Sequence, residues 1–310
     1  MKSYDLIGIG KCTLDFLGIV DELPKLDSGG HLHDFTVQGG GIVATALVAA
    51  SRLGMRCAIV DTIGDDWIGQ RIVEGLESEG ISTEFLTVMP GGTSMRAIVL
   101  VHRETGKRSL MCNGGDLTQR TLPQGAGNAI RNAWGLHLQS SSGLALEAAT
   151  IAHESGAIVS ADINADPDHT LEFHELADVI IAPEDWVAGA DSHDGHARLK
   201  KARAAGVGTM AVTLGDRGVI GMSEETDDLV TVSAFEVDVI DTTGAGDTFH
   251  GAYLAALHEG YDFPSCLRYA AAASAMKCTK LGGREGIPHR DELTQFLADR
   301  GVKLNGKSEC

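Results

Sequence analysis

Asp241-Thr242-Thr243-Gly244-Ala245-Gly246-Asp247-Thr248-Phe249-His250-Gly251-Ala252 is the most informative stretch of the chain. It follows a strand-like run at 235–240 and leads into an apolar helix. Gly244 and Gly246 permit a tight turn with no Cβ in the way of a ligand. The amides of Gly244, Ala245, Gly246 and Asp247 then fall in the first helical turn, unpaired and backed by the helix dipole, which makes an anion site. Asp247 is out of place there, because a carboxylate repels an anion. A substrate hydroxyl lying between the carboxylate and a transferring phosphoryl group would give it a purpose: the carboxylate takes the proton and the amides hold developing charge. An ordinary helix cap by Asp241 or Asp247 accounts for the same residues, and short glycine motifs are often accidental.

Outward from this loop, apolar β-branched runs alternate with helical patterns. Strands are expected at 6–10, 58–63, 135–139, 157–163, 179–182, 210–214 and 219–222. Helices are expected at 43–53, 67–79, 145–153, 195–205, 245–258, 264–277 and 291–297. Such alternation implies an α/β fold with a mostly parallel sheet covered on both faces. Two places break the rhythm. Residues 16–20 and 31–37 read as strands around a turn, and 95–102 and 108–112 flank Glu104-Thr105-Gly106-Lys107, a hairpin signal. Four such strands beside the core would form a small β-sheet lid. The tail from Val302 to Cys310 is polar and expected to fray.

The 310 residues suffice for one large α/β domain, and an apolar fraction of 43% supports a sizeable core. With 43 Asp and Glu against 25 Lys and Arg, the formal charge is -18. That surface repels nucleic acid and anionic lipid, so neither is an expected partner. No apolar run reaches membrane-spanning length and the N-terminus enters a strand-like pattern directly, so a cytoplasmic location is expected. The six cysteines and twelve histidines show no metal-ligand spacing.

The string Asp241 to Ala252 resembles the C-terminal signature of the ribokinase (PfkB) family, D-T-x-G-A-G-D-x-F. A second family signature is matched by Gly39-Gly40-Gly41-Ile42-Val43-Ala44-Thr45-Ala46. The resemblance runs from about Tyr4 to Leu297. It implies a three-layer α/β/α kinase domain over residues 1–300, with lid strands at about 12–38 and 95–113 and residues 301–310 as a tail. By the same resemblance Asp247 is the catalytic base, and Gly244, Ala245 and Gly246 form the anion hole. Asp15, Gly40, Gly41 and Thr45 would bind a sugar, Thr45 standing where the family often has Asn. Thr213, Gly215 and Gly218, in Val212-Thr213-Leu214-Gly215-Asp216-Arg217-Gly218, would line the nucleotide phosphates, with Arg108 and Gly283 nearby. Asp241 and Thr243 match a monovalent-cation site, so K⁺ joins ATP and Mg²⁺ as an expected cofactor.

One departure concerns magnesium. The family's N-x-x-E after a D-V-I strand is replaced here by Pro183-Glu184-Asp185-Trp186, leaving Glu184 or Asp185 as candidate ligands. The closest likeness is to bacterial ketose and sulfosugar kinases, through Cys278-Thr279-Lys280-Leu281-Gly282-Gly283-Arg284-Glu285-Gly286-Ile287-Pro288. The loop Gln139-Ser140-Ser141-Ser142-Gly143 offers hydroxyls and no Arg, which favours a neutral ketohexose or pentose, unless Arg96 serves a charged one. The implied reaction is transfer of the ATP γ-phosphoryl group to a primary sugar hydroxyl, in a homodimer joined through the lid. A nucleoside or sugar-acid kinase, or a non-catalytic sugar or nucleotide sensor, are the alternatives. The aromatic fraction of 5% counts against the first and Asp247 against the last.

Overall fold

The structure is a computed structural model that describes residues 4–114, 117, 121–139, 143–162, 175–185, 195–204 and 206–306. The serine loop 140–142, Trp186 and the tail residues 307–310 lie outside the described residues.

Among the described residues a nine-stranded sheet forms the centre. In chain order its strands are β1 (Leu6–Ile9), β4 (Cys57–Gly64), β5 (Ser82–Met89), β8 (Gly135–Leu138), β9 (Ile158–Asp162), β10 (Val179–Pro183), β11 (Thr209–Thr213), β12 (Val219–Ser223) and β13 (Thr226–Val232). The order across the sheet is β13-β12-β11-β10-β9-β8-β1-β4-β5, parallel from β11 to β5 and antiparallel at β11-β12-β13. Neighbouring residues on a strand point to opposite faces, and two separate cores result. Leu6 and Ile59 pack on one side; Ile7, Ala58 and Val60 pack on the other.

The first core is closed by α1 (Ile42–Arg52), α2 (Trp67–Ser78), α6 (Ala245–His258), α7 (Phe263–Lys277) and α8 (Arg290–Asp299). The second is closed by α3 (Ala126–Asn132), α4 (Gly143–Glu154) and α5 (Gly195–Ala204). Helices α1 and α6 approach so closely that a Cβ at Gly251 would stand 2.0 Å from the Ala46 carbonyl. Since α6 begins with the phosphate loop and α1 begins after the triple glycine, this packing fixes the two signatures relative to each other.

The lid is a four-stranded sheet, β3-β2-β6-β7, made of β2 (Thr13–Val20), β3 (Asp34–Gly40), β6 (Arg96–His102) and β7 (Arg108–Asn113). Its pleat gives it two faces. Val37, Phe16, Ile98 and Met111 stand in register across all four strands on one face. Gln38, Asp15, Ala97 and Cys112 stand in register on the other.

Two expectations are corrected. The run 235–240 forms no ladder; it leads without regular structure to the phosphate loop, where the amides of Ile240 and Asp241 donate to the Cys278 carbonyl at 2.8 and 3.2 Å. The tail is not frayed over 302–306: the Asp262 amide donates to the Asn305 carbonyl at 2.9 Å, the Asn305 amide to Ser265 Oγ at 2.9 Å, and Val302 and Leu304 pack on the core. Among the described residues no helix is long and apolar enough to cross a membrane.

Candidate active site

Gly244 caps α6 in the left-handed region at φ 76°. Glycine is required there twice over, since a Cβ would also meet the Gly283 carbonyl oxygen at 2.5 Å. Gly283 thus roofs the loop by its backbone. Around Gly246, by contrast, a Cβ would meet nothing within 4 Å. The Ala245 amide donates to the Thr242 carbonyl at 3.2 Å, and the Thr248 amide to the Gly244 carbonyl at 2.9 Å. The amides of Gly244, Gly246 and Asp247 have no acceptor among the described residues, so three donors of the first turn remain for an anion.

Asp241 is fully buried and its carboxylate is satisfied. Oδ1 accepts from the Thr243 amide at 2.8 Å and the Thr243 hydroxyl at 2.7 Å, and Oδ2 accepts from the Gly282 amide at 2.8 Å. The Asp241 carbonyl accepts from Lys277 Nζ at 2.7 Å. Lys277 ends α7 and is itself fully buried. Both carboxylate oxygens of Asp241 are thus engaged within the loop and an ammonium already stands on its carbonyl, which counts against a potassium ion there, while the Thr243 carbonyl accepts no hydrogen bond among the described residues.

A cleft of about 770 Å³ opens above this loop, between the C-terminal ends of the parallel strands and the inner face of the lid. Asp15, Gly41, Arg108, Thr213, Gly244, Gly246 and Asp247 are among its lining residues. Gly40 and Thr45 are not. Gly40 gives room for the Asp15 carboxylate, whose Oδ2 would lie 2.0 Å from a Cβ at that position. Thr45 is buried within the first turn of α1. Beneath the pair, Arg284 fills the space a Gly39 side chain would take and donates from Nη2 to the Gly40 carbonyl at 2.7 Å.

Asp247 is partly buried and accepts no hydrogen bond among the described residues. Its carboxyl is pushed up to about 8, by burial first and then by the negative charges of Asp162 and Asp15, against the positive Arg108 and Lys277. Asp15 is also raised, chiefly by burial, although Thr13 Oγ1 donates to it at 2.6 Å. A carboxyl held where Asp247's is accepts and releases protons under ordinary conditions.

A second cavity, of about 410 Å³, lies on the other side of the loop. Thr213, Gly215 and Gly218 line it, as do Val239, Phe249, Ala271 and Cys278. The two cavities share Thr213, Thr242, Ala245 and Gly246, so they meet at the phosphate loop. The lid reaches the same point: Gly106, at the tip of the β6–β7 hairpin, accepts from the Thr242 amide at 3.2 Å and hydroxyl at 3.0 Å. Arg108 Nη1 lies 3.4 Å from Thr242 Oγ1. Glu184 stands apart. It is ion-paired with Arg217 and lines neither cavity.

Sequence reading gave no role to Lys277, Arg284, Asp162, His250 and Thr242, and took Gln139 only as part of a polar loop. Some left a signal. A lone lysine closing the Ala-rich helix 263–277 is unusual, and His250 follows Asp247 by three residues, which puts both on one helix face.

The chain matches the family model for pfkB family carbohydrate kinase over residues 5–290. It is 30% identical to a ribokinase of Haemophilus influenzae, over 85% of this chain and 89% of that one. It is 26% identical to a nucleoside kinase of Methanothermobacter thermautotrophicus, over 97% and 98%. The solved structure of Arabidopsis thaliana ribokinase complexed with ribose and ATP superposes with TM-score 0.82 at 22% identity, covering 95% of this chain and 98% of that one. With a ribokinase-like sheet, a lid and a glycine loop bearing an aspartate, this chain belongs to the pfkB family of carbohydrate kinases and is a phosphotransferase with an alcohol acceptor, a sugar or nucleoside kinase.

Proposed function

We propose that the protein transfers the γ-phosphoryl group of ATP to a primary hydroxyl of a small neutral sugar, with a ketohexose or pentose as the first choice. The observation that carries this is the position of Asp247, in the cleft next to the loop residues Ala245 and Gly246 that both cavities share, and on the turn that carries three free amides. The cavity lined by Thr213, Gly215, Gly218 and Phe249 suits a nucleotide, with a largely apolar wall for a base and the loop for its phosphates. The cleft lined by Asp15 and Gly41 suits a hydroxylated acceptor, since a carboxylate accepts two hydroxyl hydrogen bonds. That the Arabidopsis ribokinase of the same fold was solved with both ribose and ATP is in keeping with a protein that has two cavities.

Asp247 takes the acceptor hydroxyl's proton as the new O–P bond forms and the bond to the ADP oxygen breaks. The amides of Gly244, Gly246 and Asp247 face the developing negative charge, and Arg108 reaches the same loop from the lid. The closed hairpin at Gly106 keeps water from competing with the sugar. Mg²⁺ enters as the ATP complex and neutralises phosphate charge. Glu184, paired with Arg217, would not be needed to hold it, since the phosphates and water could supply its ligands.

The reading includes a homodimer joined through the lid. The row Val37, Phe16, Ile98 and Met111 faces away from the cleft, and Val37, Ile98 and Met111 are exposed.

The test is ATP consumption over a panel of ketoses, aldoses, sugar acids and nucleosides, with wild type and Asp247→Asn in parallel. Turnover on a neutral sugar that the variant loses supports the proposal. Turnover only on a nucleoside or sugar acid replaces the substrate, and turnover unaffected by the variant overturns the mechanism.

A further inference from the structure

Three polar side chains on the floor of the cleft take no part in the chemistry above. Gln139 follows β8, Asp162 ends β9, and His250 lies on α6 one turn beyond Asp247. All three line the cleft together with Asp247. Asp162 and His250 are 6% and 4% exposed.

Their polar atoms are poorly used within the protein. His250 Nε2 lies 3.4 Å from Asp162 Oδ2. His250 Nδ1 and Gln139 Oε1 are buried and have no partner among the described residues. His137 packs against His250 with ring centroids 5.2 Å apart, its Nδ1 3.2 Å from Ser160 Oγ, and so closes the floor from below. Burial keeps the His250 ring neutral, lowering it to about 3. With Nε2–H turned toward Asp162, the other nitrogen presents a lone pair.

Buried polar atoms in native proteins are nearly always paired, so this floor is built for a ligand. Its chemistry is that of an acceptor set: an amide oxygen, an imidazole lone pair and the Asp162 carboxyl, which burial raises to about 7 and which is a full acceptor once deprotonated. Hydroxyl groups match it. An anionic group does not, because it would bring a further negative charge beside three carboxyls, Asp15, Asp162 and Asp247, that burial already holds against ionisation. The cations that line the cleft among the described residues do not compensate at the floor. Lys11 Nζ is bound to Asp61 and to the Leu117 carbonyl, each at 2.9 Å, and Arg108 is turned toward Thr242 on the lid side.

We propose that Gln139, Asp162 and His250 form a second hydroxyl-recognition subsite next to the reacting position, which selects neutral, multiply hydroxylated acceptors over those bearing a carboxylate or sulfonate. It rests on the kinase reading only for the identity of the reacting hydroxyl beside it. Asp162 and His250 act here as specificity-determining residues, and Asp247 remains the base.

The test separates binding from turnover. Calorimetry measures the affinity of neutral sugars, their monodeoxy analogues and sugar acids for wild type, Asp162→Asn and His250→Gln, and thermal melting checks that each variant is folded. Both variants should lose about 10-fold or more in sugar affinity, as expected for a lost hydrogen bond to a buried acceptor, and should keep ATP affinity within about twofold. One monodeoxy analogue should bind poorly to wild type yet bind Asp162→Asn as well as the parent sugar does. The ligand series on wild type needs no variant to fold: equal affinity across all deoxy analogues, or sugar acids bound as tightly as neutral sugars, overturns the subsite. Unchanged sugar affinity in the folded variants overturns it too, and so does a wild type that binds no sugar. Sugar binding without turnover would defeat the kinase reading alone and leave the subsite to be judged by the affinities.

Discussion

Asp241 and Asp247 are held in opposite ways by one loop. Asp241 accepts three hydrogen bonds and is structural; Asp247 accepts none among the described residues and faces the cleft. Replacing Asp247 by Asn should lower kcat by about 10²- to 10⁴-fold with little change in either KM, as for loss of a positioned base. The pH dependence follows from its raised carboxyl. The base works only when deprotonated, so wild-type kcat/KM should climb with pH through the neutral range and level off above about 8. Stability has the opposite slope. A carboxyl whose folded value lies above its unfolded one stabilises the fold fully below the unfolded value, and that contribution is lost as pH rises towards about 8. Asp247→Asn should therefore melt a few degrees above wild type at pH 8 and close to it at pH 4, by calorimetry. Two glycines of the loop should separate fold from chemistry. Gly244→Ala forces a side chain into left-handed backbone, at about 1–2 kcal/mol, and against the Gly283 carbonyl, so it should lower both Tm and turnover. Gly246→Ala has open space in the protein and should keep its Tm while losing turnover, because its methyl takes the phosphate's room. Equal losses of Tm in the two variants would contradict this division.

At the scale of elements, the site depends on where α6, α7 and the lid hairpin meet. Lys277 brings the end of α7 to the start of α6 through the Asp241 carbonyl. A fixed ammonium there makes an added cation redundant, so turnover should be the same in potassium as in sodium or choline salts. Lys277→Met should lose activity and melt lower, since it removes a buried charge-assisted hydrogen bond. Strong activation of wild type by potassium would refute that account. The ease with which these elements were read from sequence follows from their physics. Buried parallel strands such as β1, β4 and β10 appear as continuous apolar runs, and α6 and α7 are long and apolar. β5, β13 and α3 went unread: β5 and β13 sit at sheet edges and carry mixed polar faces, and α3 is only 7 residues long. The run 235–240 has strand composition but is held at its end by the Cys278 carbonyl rather than by a ladder. The glycine loop was legible because its residues sit together in sequence. Gln139, Asp162, His250 and Lys277 were not, since only the sheet order brings β8, β9 and α6 to one cleft and only packing places a lysine against Asp241.

At the scale of the whole molecule, the described residues leave a large apolar surface on the lid that the core does not use. On the lid, the inner face carries Asp15 and closes the cleft, and a small core of Leu17, Ala97, Val99 and Val101 lies beneath the sheet. The outer face leaves Phe35, Ile98 and Met111 at 53%, 50% and 59% exposure, around a groove of about 510 Å³ that Leu32 and Phe16 also line. A protein with formal charge -18 repels its copies in general, so an apolar face whose groove is lined by no charged residue but Arg96 is where two copies can meet at least electrostatic cost. Pairing two lids through this face would bury the exposed row and leave the two clefts, on the opposite faces, open to substrates. Sedimentation should therefore give about twice the chain mass of 32.6 kDa. Ile98→Glu places a charge at the centre of the row, and in a symmetric dimer each copy meets the other's, so the variant should sediment as a monomer. Because Ile98 faces away from the catalytic cleft, Asp247 and the phosphate loop should be undisturbed, and any fall in kcat would measure how far the second copy steadies the lid over Thr242. A wild type that sediments at 32.6 kDa across the micromolar range would show that this face serves something other than a second copy.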